Sequence, residues 1–553
     1  MTNNPFAMFK KAASIRPTWN IMSLFDVQTG KYYKGKHGES IMCGGLSHFT
    51  GMAGLPNMFK TVLALFQQGS VMNRVSLAIM MAHDSENTLS VGRIQNVFRQ
   101  FPELFGTDLV EQGRLLFTDA STYTGNEWWN TMRAYAESRR KDKSILITTP
   151  FVDDSTGDYI KIPAPTLSFL DSLSGLQTEG IMDMYDKADV GEKGLNMVAM
   201  KAAGAKSQLI DQVTSVTNGS GLMLTMTAHV GQEYQLDMYK PNVKRLKFLK
   251  GDLKLKKVPE NFSFLTANCW YCVSLTPMME DKLPEYPRGP EDDLKGDTDL
   301  ICITLVNLRG KSGPSGIPFE VVVSQSEGMK PGLTEFSYCR GFNYYGISDK
   351  EGRNAKGSSN YRLDLYPTQN LTRKTVRTLL EEDSRLARAM TITAEMCMMR
   401  NLWHDLEEGL LCTPKELFND IAELGYDWDM LLDTRGFWLP LEEKGTYSDM
   451  PFLSTMDLLN MRKGTYRPYW YDKAVKAKET AEKALSKAAA MPTTFVPKDE
   501  PAEAKQSTDL SAIIKKAMKV PKSSAESAEV EAKPVTGADL LKKIATRQES
   551  KVS

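Results

Sequence analysis

The chain has few cysteines and no long apolar run, and each shortage excludes a class of protein. Seven cysteines in 553 residues do not form a disulfide framework, so we expect a reducing, cytoplasmic setting. The close pair Cys269 and Cys272 has no second pair or histidines nearby, and we interpret both as core residues of a buried strand, not as a zinc or redox site. No apolar stretch reaches the roughly 20 residues of a membrane span, and no secretory signal opens the chain.

The chain also lacks an excess of charge of either sign. It has 68 basic and 68 acidic residues and a formal net charge of zero. Affinity for a polyanion must therefore come from local clusters of charge. The length is sufficient for two to four domains with at least one large core.

Residues 51–66 carry the most informative pattern. A loop with small residues and a proline leads to Lys60 and Thr61, and an apolar run suited to a helix follows. A phosphate-binding loop needs these parts in this order: backbone amides and the lysine contact phosphates, and the threonine hydroxyl binds Mg²⁺. Phe59 stands where glycine usually precedes the lysine. The residues predicted to contact a nucleotide are Gly54, Asn57, Phe59, Lys60, Thr61 and Val62.

Three polar side chains follow later predicted strands. Ligands bind at the carboxyl ends of parallel strands, so we expect these side chains near the loop. Glu86 is predicted to deprotonate the attacking water, Asp171 to support Mg²⁺, and His229 to sense the γ-phosphate. The alternatives are a solvent-facing acid, a chance acid at a strand end, and a structural histidine.

Apolar runs alternate with helical patterns over residues 41–335, which predicts an α/β core with a mostly parallel sheet. A lead of residues 1–40 precedes it, a helix-rich region follows over 336–472, and 473–553 is predicted to be a disordered tail. Predicted helices cover 372–400 and 413–424, the second opened by a capping box. The predicted strands are 75–82, 113–119, 144–149, 166–171, 221–228, 262–274, 299–308 and 317–324.

The nucleotide motifs resemble those of the RecA-type recombinases, most closely the phage UvsX-type branch. That branch has phenylalanine before the loop lysine, as in residues 54–61, and Asp-Ser-Glu after the next strand, as in 84–86. It also has an apolar strand closed by Asp-Ser, as in 171–172, and a histidine sensor, matched by His229. The resemblance covers about residues 40–335.

A later segment, residues 307–320, resembles the part of RecA-core ATPases, ring helicases included, that supplies basic residues to a neighbouring subunit's ATP. The resemblance implies that Arg309 and Lys311 act in trans. It also implies a RecA-like P-loop core, ATP and Mg²⁺ as cofactors, and a DNA-dependent ATPase that forms filaments on single-stranded DNA for strand exchange. A phage-encoded protein of this kind would work in the host cytoplasm.

A basic segment follows His229 directly. Residues 240–257 carry eight lysines and arginines against Asp252 alone, with Phe248 interleaved. Cations neutralise phosphates and aromatic rings stack on bases, whereas the alternative is a solvated charged face. A second DNA candidate is 176–215, with Lys187, Lys193, Lys201 and Lys206. The predicted DNA-binding residues are Lys240, Lys244, Arg245, Lys247, Phe248 and Lys250.

Assembly and partners leave several alternatives open. Phe9–Ala12 resembles a Phe-x-x-Ala polymerisation motif, which would give a head-to-tail filament. A ring helicase is the nearest rival, although only about fifty residues precede the loop here. Other rivals are a nucleotide-binding mediator or structural filament protein with little hydrolysis, and an α/β protein with a fortuitous loop. Two similar tail segments, 508–517 and 536–545, are candidate amphipathic helices for replication or recombination proteins, or transient helices in a solubilising tail.

Overall fold

The structure is a computed structural model that describes residues 15–119, 124–177, 195–232, 248–249, 253–289 and 298–489. Several sequence-based predictions lie outside these residues: Phe9–Ala12, Lys187, Lys193, Lys240, Lys244, Arg245, Lys247, Lys250 and the tail beyond residue 489.

The described strands are β1 (Lys31–Lys34), β2 (Ser40–Cys43), β3 (Phe49–Gly54), β4 (Ile79–Asp84), β5 (Leu115–Asp119), β6 (Leu146–Val152), β7 (Tyr159–Pro163), β8 (Thr166–Asp171), β9 (Leu222–Gln232), β10 (Leu253–Leu255), β11 (Asn268–Pro277), β12 (Met279–Glu280), β13 (Leu283–Pro284), β14 (Leu300–Gly310), β15 (Pro318–Ser324), β16 (Gly328–Met329), β17 (Ile347–Ser348), β18 (Asn360–Leu363) and β19 (Tyr366–Thr372).

The described helices are α1 (Ser23–Thr29), α2 (Lys60–Arg74), α3 (Val91–Val97), α4 (Gly125–Lys141), α5 (Leu195–Thr217), α6 (Asn261–Leu265), α7 (Pro331–Gly341), α8 (Val376–Glu382), α9 (Ser384–Leu402), α10 (Pro414–Glu423), α11 (Trp428–Leu432), α12 (Thr455–Arg462) and α13 (Tyr471–Ala489).

A ten-stranded sheet forms the centre of the described molecule. Its order is β16-β15-β14-β11-β3-β9-β8-β4-β5, with β10 paired to β9. The strands from β11 to β5 run parallel to one another, and β14 to β16 extend the sheet in antiparallel fashion. The predicted α/β class with a mostly parallel sheet is therefore confirmed. No helix of the described residues is long and apolar enough to cross a bilayer.

Helices cover both faces of this sheet, as crossover connections between parallel strands require. Helix α2 packs on strands β3, β4, β8 and β9, whereas α5 packs on β3 and β9 and contacts α4. Their apolar faces lie in two separate hydrophobic clusters. Strands β3 and β8 are buried along their whole length, because the sheet is covered on both sides. Cys269 and Cys272 are buried in β11, as predicted.

Three predicted strands need correction. The first residues of the predicted strand 262–274 form helix α6, because a short apolar run does not distinguish a strand from a helical turn. The predicted strand 144–149 overlaps β6, which begins at Leu146 and pairs with β7, not with the central sheet. Pro150 lies within β6, and proline is confined to sheet edges since it donates no ladder hydrogen bond. The predicted strand 75–82 begins later, at Ile79.

The N-terminal lead and the helix-rich region share one core with the sheet. Every residue of α1 is buried, and α1 contacts α9. Apolar residues of both helices belong to the cluster that also contains α2. The predicted domain limits at residues 40 and 335 fall within β2 and α7. Thr413 caps α10 with the capping box predicted from the sequence.

Candidate functional site

The loop between β3 and α2 turns through two left-handed residues. Asn57 has φ of 61° and Phe59 has φ of 54°. Phe59 directly precedes the first helical residue, Lys60, in a conformation that glycine adopts without strain. A phenylalanine there costs roughly 1–2 kcal/mol, which explains in physical terms why glycine is the usual residue. The loop nevertheless closes as a strand–loop–helix turn at the carboxyl end of β3.

Lys60 lies at the mouth of this loop. Its side chain is largely buried, and Nζ donates a hydrogen bond to the carbonyl oxygen of Leu55 at 2.7 Å. Burial lowers the pKa of Lys60, while the nearby Asp171 and Glu86 carboxylates oppose that shift. An ammonium group with remaining donors, held beside backbone amides at a helix N-terminus, suits phosphate oxygens.

Asp171 joins the loop to the neighbouring strands. Thr61 Oγ1 donates to Asp171 Oδ2 at 2.6 Å, and Thr227 Oγ1 donates to Oδ1 at 2.5 Å. Burial raises the pKa of Asp171, and the two hydroxyl groups act in the opposite direction. A carboxylate and a threonine hydroxyl in contact supply the oxygen ligands that Mg²⁺ prefers.

Glu86 has a histidine and a serine on the same carboxylate oxygen. His229 Nε2 lies 2.6 Å from Glu86 Oε1, and the Ser172 hydroxyl donates to that oxygen. Ser85 Oγ in turn accepts the backbone N–H of Ser172 and donates to its carbonyl oxygen. Burial acts to raise the pKa of Glu86, but the hydrogen bonds from Ser172 and His229 and the charge of Lys60 outweigh it, so the pKa is lowered. Glu86 is therefore ionised at neutral pH.

Strand order explains why these side chains meet. Strand β9 lies between β3 and β8, and its parallel register sets His229 beside Gly54. Strand β4 lies on the other side of β8, with Asp84 beside Asp171. Asp84 accepts hydrogen bonds from the backbone N–H groups of Glu86 and Leu89 and so shapes the turn that carries Glu86. The structure thus brings Lys60, Thr61, Asp171, Glu86 and His229 to one edge of the sheet.

Arg309 and Lys311 lie at the opposite edge. Strand β14 ends beside Asn268, which pairs with Thr50 near the start of β3, about 13 Å from Gly54 at the usual rise per strand residue. The Arg309 guanidinium lies 5.4 Å from the centroid of the Phe264 ring, and Lys311 Nζ donates to the carbonyl oxygen of Leu265 at 3.2 Å. These residues do not complete the phosphate loop of their own chain.

The described end of the basic segment pairs with the strand that carries His229. Strand β10 pairs antiparallel with the end of β9, and the N–H of Lys256 donates to the carbonyl oxygen of His229 at 2.7 Å. Phe248, predicted to stack on DNA, is half-buried here against Gly316, where an added Cβ would lie 2.1 Å from its ring.

The position of Lys206 contradicts its predicted role in DNA binding. The sequence places it in a mobile DNA-binding segment, but the structure buries it, with Nζ donating to the carbonyl oxygens of Leu173, Ser174 and Lys257 at 2.7, 3.1 and 3.4 Å. Burial lowers its pKa to about 8. A lysine is drawn inside when several carbonyl groups are available to satisfy it. Lys206 therefore joins the loop after β8 to the residues that follow β10.

Sequence reasoning missed two further hydroxyl groups of the site. Thr227 is two residues before His229, and a strand places alternate residues on one face, so the spacing contained a signal for it. Ser172 followed a residue already selected, Asp171, but its contact with Glu86 depends on the turn after β4.

Compared with known proteins, the chain matches no family model and no curated protein sequence. The structure itself defines an α/β protein with a mostly parallel sheet, in which a strand–loop–helix turn, two acidic residues and a histidine meet at the carboxyl ends of adjacent strands.

Proposed function

We propose that the chain is a DNA-dependent ATPase of the RecA type, a recombination and repair protein that forms filaments on single-stranded DNA and promotes strand exchange. One observation carries the proposal. Contacts run without a break from Thr61 through Asp171 and Ser172 to Glu86 and His229, beside the Lys60 ammonium. A P-loop ATPase places a lysine on the phosphates, a threonine and an aspartate at Mg²⁺, and a residue that orients the attacking water beside them.

Each group has a defined task in hydrolysis. The loop amides and Lys60 would hold the β and γ phosphates. Thr61 and Asp171 would hold Mg²⁺, which neutralises phosphate charge. Glu86, ionised and directed by two hydrogen bonds, would take a proton from the water that attacks the γ-phosphorus, while the bond from that phosphorus to the β–γ bridging oxygen breaks and ADP leaves. His229 contacts the same carboxylate oxygen, so the proposed γ-phosphate sensor touches the proposed base.

The distance between the phosphate loop and the predicted trans-acting cations, which lie at opposite edges of the sheet, supports an oligomer. Arg309 and Lys311 are remote from the loop of their own chain, and a head-to-tail neighbour would bring them to another chain's site. Repetition of that contact without closure gives a filament. The two cations would then stabilise charge on the transferred phosphoryl group.

The pairing of β10 with β9 beside His229 supports coupling to DNA. Strands β9 and β10 flank the part of the sequence that carries Lys240 to Lys250. Ser174 joins the two strands to the site, since it accepts the His229 N–H and donates to the carbonyl oxygen of Lys256. A change at Glu86 and His229 on nucleotide binding would therefore reach both flanking strands.

Measurement of ATP turnover with and without single-stranded DNA tests the proposal. Lys60→Ala is expected to abolish turnover because it removes the ammonium that contacts the phosphates, whereas Lys473→Ala, at an exposed lysine of α13, is the matched control. Unchanged turnover in Lys60→Ala would remove the loop from the mechanism.

A second arm tests the DNA assignment. Joint replacement of Lys244, Arg245 and Lys247 by alanine is expected to weaken single-strand binding and to flatten its salt dependence, since fewer counterions are released. A salt slope equal to that of the wild type would exclude this segment as the DNA-binding surface.

A further inference from the structure

A second cavity lies at the other end of helix α2. It has a volume of about 670 Å³, within the range of small-molecule sites. Its walls come from the N-terminal segment, α2, the start of α7, α9 and the loop after α11. Phe66, Ser70 and Arg74 of α2 line it, and at the usual helical rise they lie about 9 to 21 Å along the helix from Lys60, the first helical residue after the phosphate loop.

Arg388 is an incompletely satisfied cation in the wall of this cavity. The residue is 8% exposed. Its Nη2 donates to the carbonyl oxygen of Leu453 at 2.6 Å, and Nε is buried without a hydrogen-bond partner. A guanidinium group has five N–H donors, and within the described residues this one forms no ion pair. A buried cation without an ion-pair partner is costly, and an anion paired with the terminal nitrogens of the guanidinium group would offset that cost.

The carboxyl groups around the cavity do not fill that role. Glu335 accepts hydrogen bonds from Ser23 at 2.5 Å and from Thr391 at 3.0 Å, and Glu395 accepts one from Thr455. Both lie near enough to influence Arg388 by charge but form no ion pair with it. Burial raises the pKa of Glu335 to about 7, so at slightly acidic pH its carboxyl group is neutral, and Glu395 is the nearby carboxyl group with the larger influence on the charge of Arg388.

We propose that this cavity binds a small organic anion whose phosphate or carboxylate group pairs with the guanidinium of Arg388. Guanidinium groups bind both oxyanions through paired hydrogen bonds, and Ser70 adds a hydroxyl group to the lining of the cavity. Phe66, Leu333 and Phe437 supply apolar surface for the body of the ligand. Binding here does not require the proposed ATPase. Where both hold, α2 connects the two sites as one rigid element.

Isothermal titration of the full chain with three probes tests the site: inorganic phosphate, citrate and AMP. Wild-type protein is expected to bind at least one of them. Arg388→Gln should weaken that binding about tenfold to a hundredfold, the effect of losing a hydrogen bond to a charged group, and Arg388→Lys should retain part of it. Lys60→Ala separates the two sites, because it weakens only a probe bound at the phosphate loop.

Gly436→Ala provides a second variant that keeps the arginine. A Cβ at residue 436 would lie 2.3 Å from Nη1 of Arg388, so the guanidinium must move and affinity should fall. Hydrogen exchange on wild-type protein is a measurement that needs no variant. A bound probe should slow the exchange of backbone amides in α9 and in residues 433–437. No binding of any probe, binding that survives both Arg388→Gln and Gly436→Ala, or protection confined to the phosphate loop would overturn the proposal.

Discussion

The two ends of helix α2 differ in how their residues are distributed along the chain. At its N-terminal end, the candidate nucleotide site takes one polar residue from each of several neighbouring parallel strands, directly after an apolar run. At its C-terminal end, the candidate anion cavity takes short runs and single residues from segments spread between Ile21 and Met450. The first pattern is visible in a sequence because a parallel sheet aligns its strand ends. The second exists only after long-range packing.

The same difference appears in the chemistry. Charged groups near the phosphate loop have partners across one edge of the sheet: Glu86 with His229, and Asp171 with Thr61. In the cavity, the buried Nε of Arg388 has no hydrogen-bond partner among the described residues, although Lys330 and Arg377 form ion pairs there. Asp26 is an acid buried beside other ionisable groups. Under the proposed function, the first end holds the changing charge of a nucleotide. The second end is expected to respond to ligand and to pH.

The largest expected effect is the loss of ATP turnover in a Glu86 variant, at the N-terminal end of α2. Glu86→Gln keeps the size and one hydrogen-bond acceptor but removes the base, so ATP turnover should fall by about 10²–10⁴ while nucleotide binding persists. Glu137→Gln, at an exposed acid of α4, is the control. Turnover close to that of the wild type would assign the base to another residue.

An intermediate effect is expected for Lys206. Lys206→Met keeps much of the length but leaves the three carbonyl groups without their donor, so DNA stimulation of turnover should fall roughly tenfold, in keeping with hydrogen bonds from a charged donor. Turnover without DNA should change less, because Lys206 does not touch the phosphate loop. Lys141→Met, at an exposed lysine, is the comparison. Equal losses with and without DNA would mean that Lys206 only supports the fold.

The third prediction concerns stability instead of turnover, and the pH at the cavity end. Burial raises the pKa of Asp26 to about 8, against a hydrogen bond from the Ile21 N–H and the charge of Arg74. The folded state therefore holds a proton that the unfolded chain releases above its ordinary pKa near 3.8. Stability from this group is complete at low pH and is lost as pH rises toward 8, by about 1.4 kcal/mol per pH unit.

Asp26→Asn keeps an oxygen for the Ile21 N–H and removes the titration. Urea unfolding at several pH values between about 5 and 8 should therefore show a shallower decline in the free energy of unfolding than in the wild type. Asp154→Asn, at an exposed acid, should leave the decline unchanged. Parallel curves for wild type and Asp26→Asn would show that Asp26 does not titrate in that interval.

The accuracy of the sequence-based reasoning follows from these physical differences. Strand β8 and the juxtaposition of Lys60, Asp171 and Glu86 were predictable. Strands that alternate with helices form a parallel sheet, and the carboxyl ends of such strands lie at one edge of it. The burial of Lys206 was not, since its three carbonyl partners come from two separate loops. Helix α6 was mistaken for strand because four apolar or small residues fit both. No local sequence pattern marks Arg388 as a residue of a site.

The most direct test of the central claim is a structure of the chain with Mg²⁺ and a non-hydrolysable ATP analogue. The account predicts that the triphosphate lies in the loop between β3 and α2, that Lys60 Nζ leaves the carbonyl oxygen of Leu55 for phosphate oxygens, and that Thr61 turns from Asp171 toward the metal. A nucleotide bound elsewhere, with Lys60 still on Leu55, would contradict it.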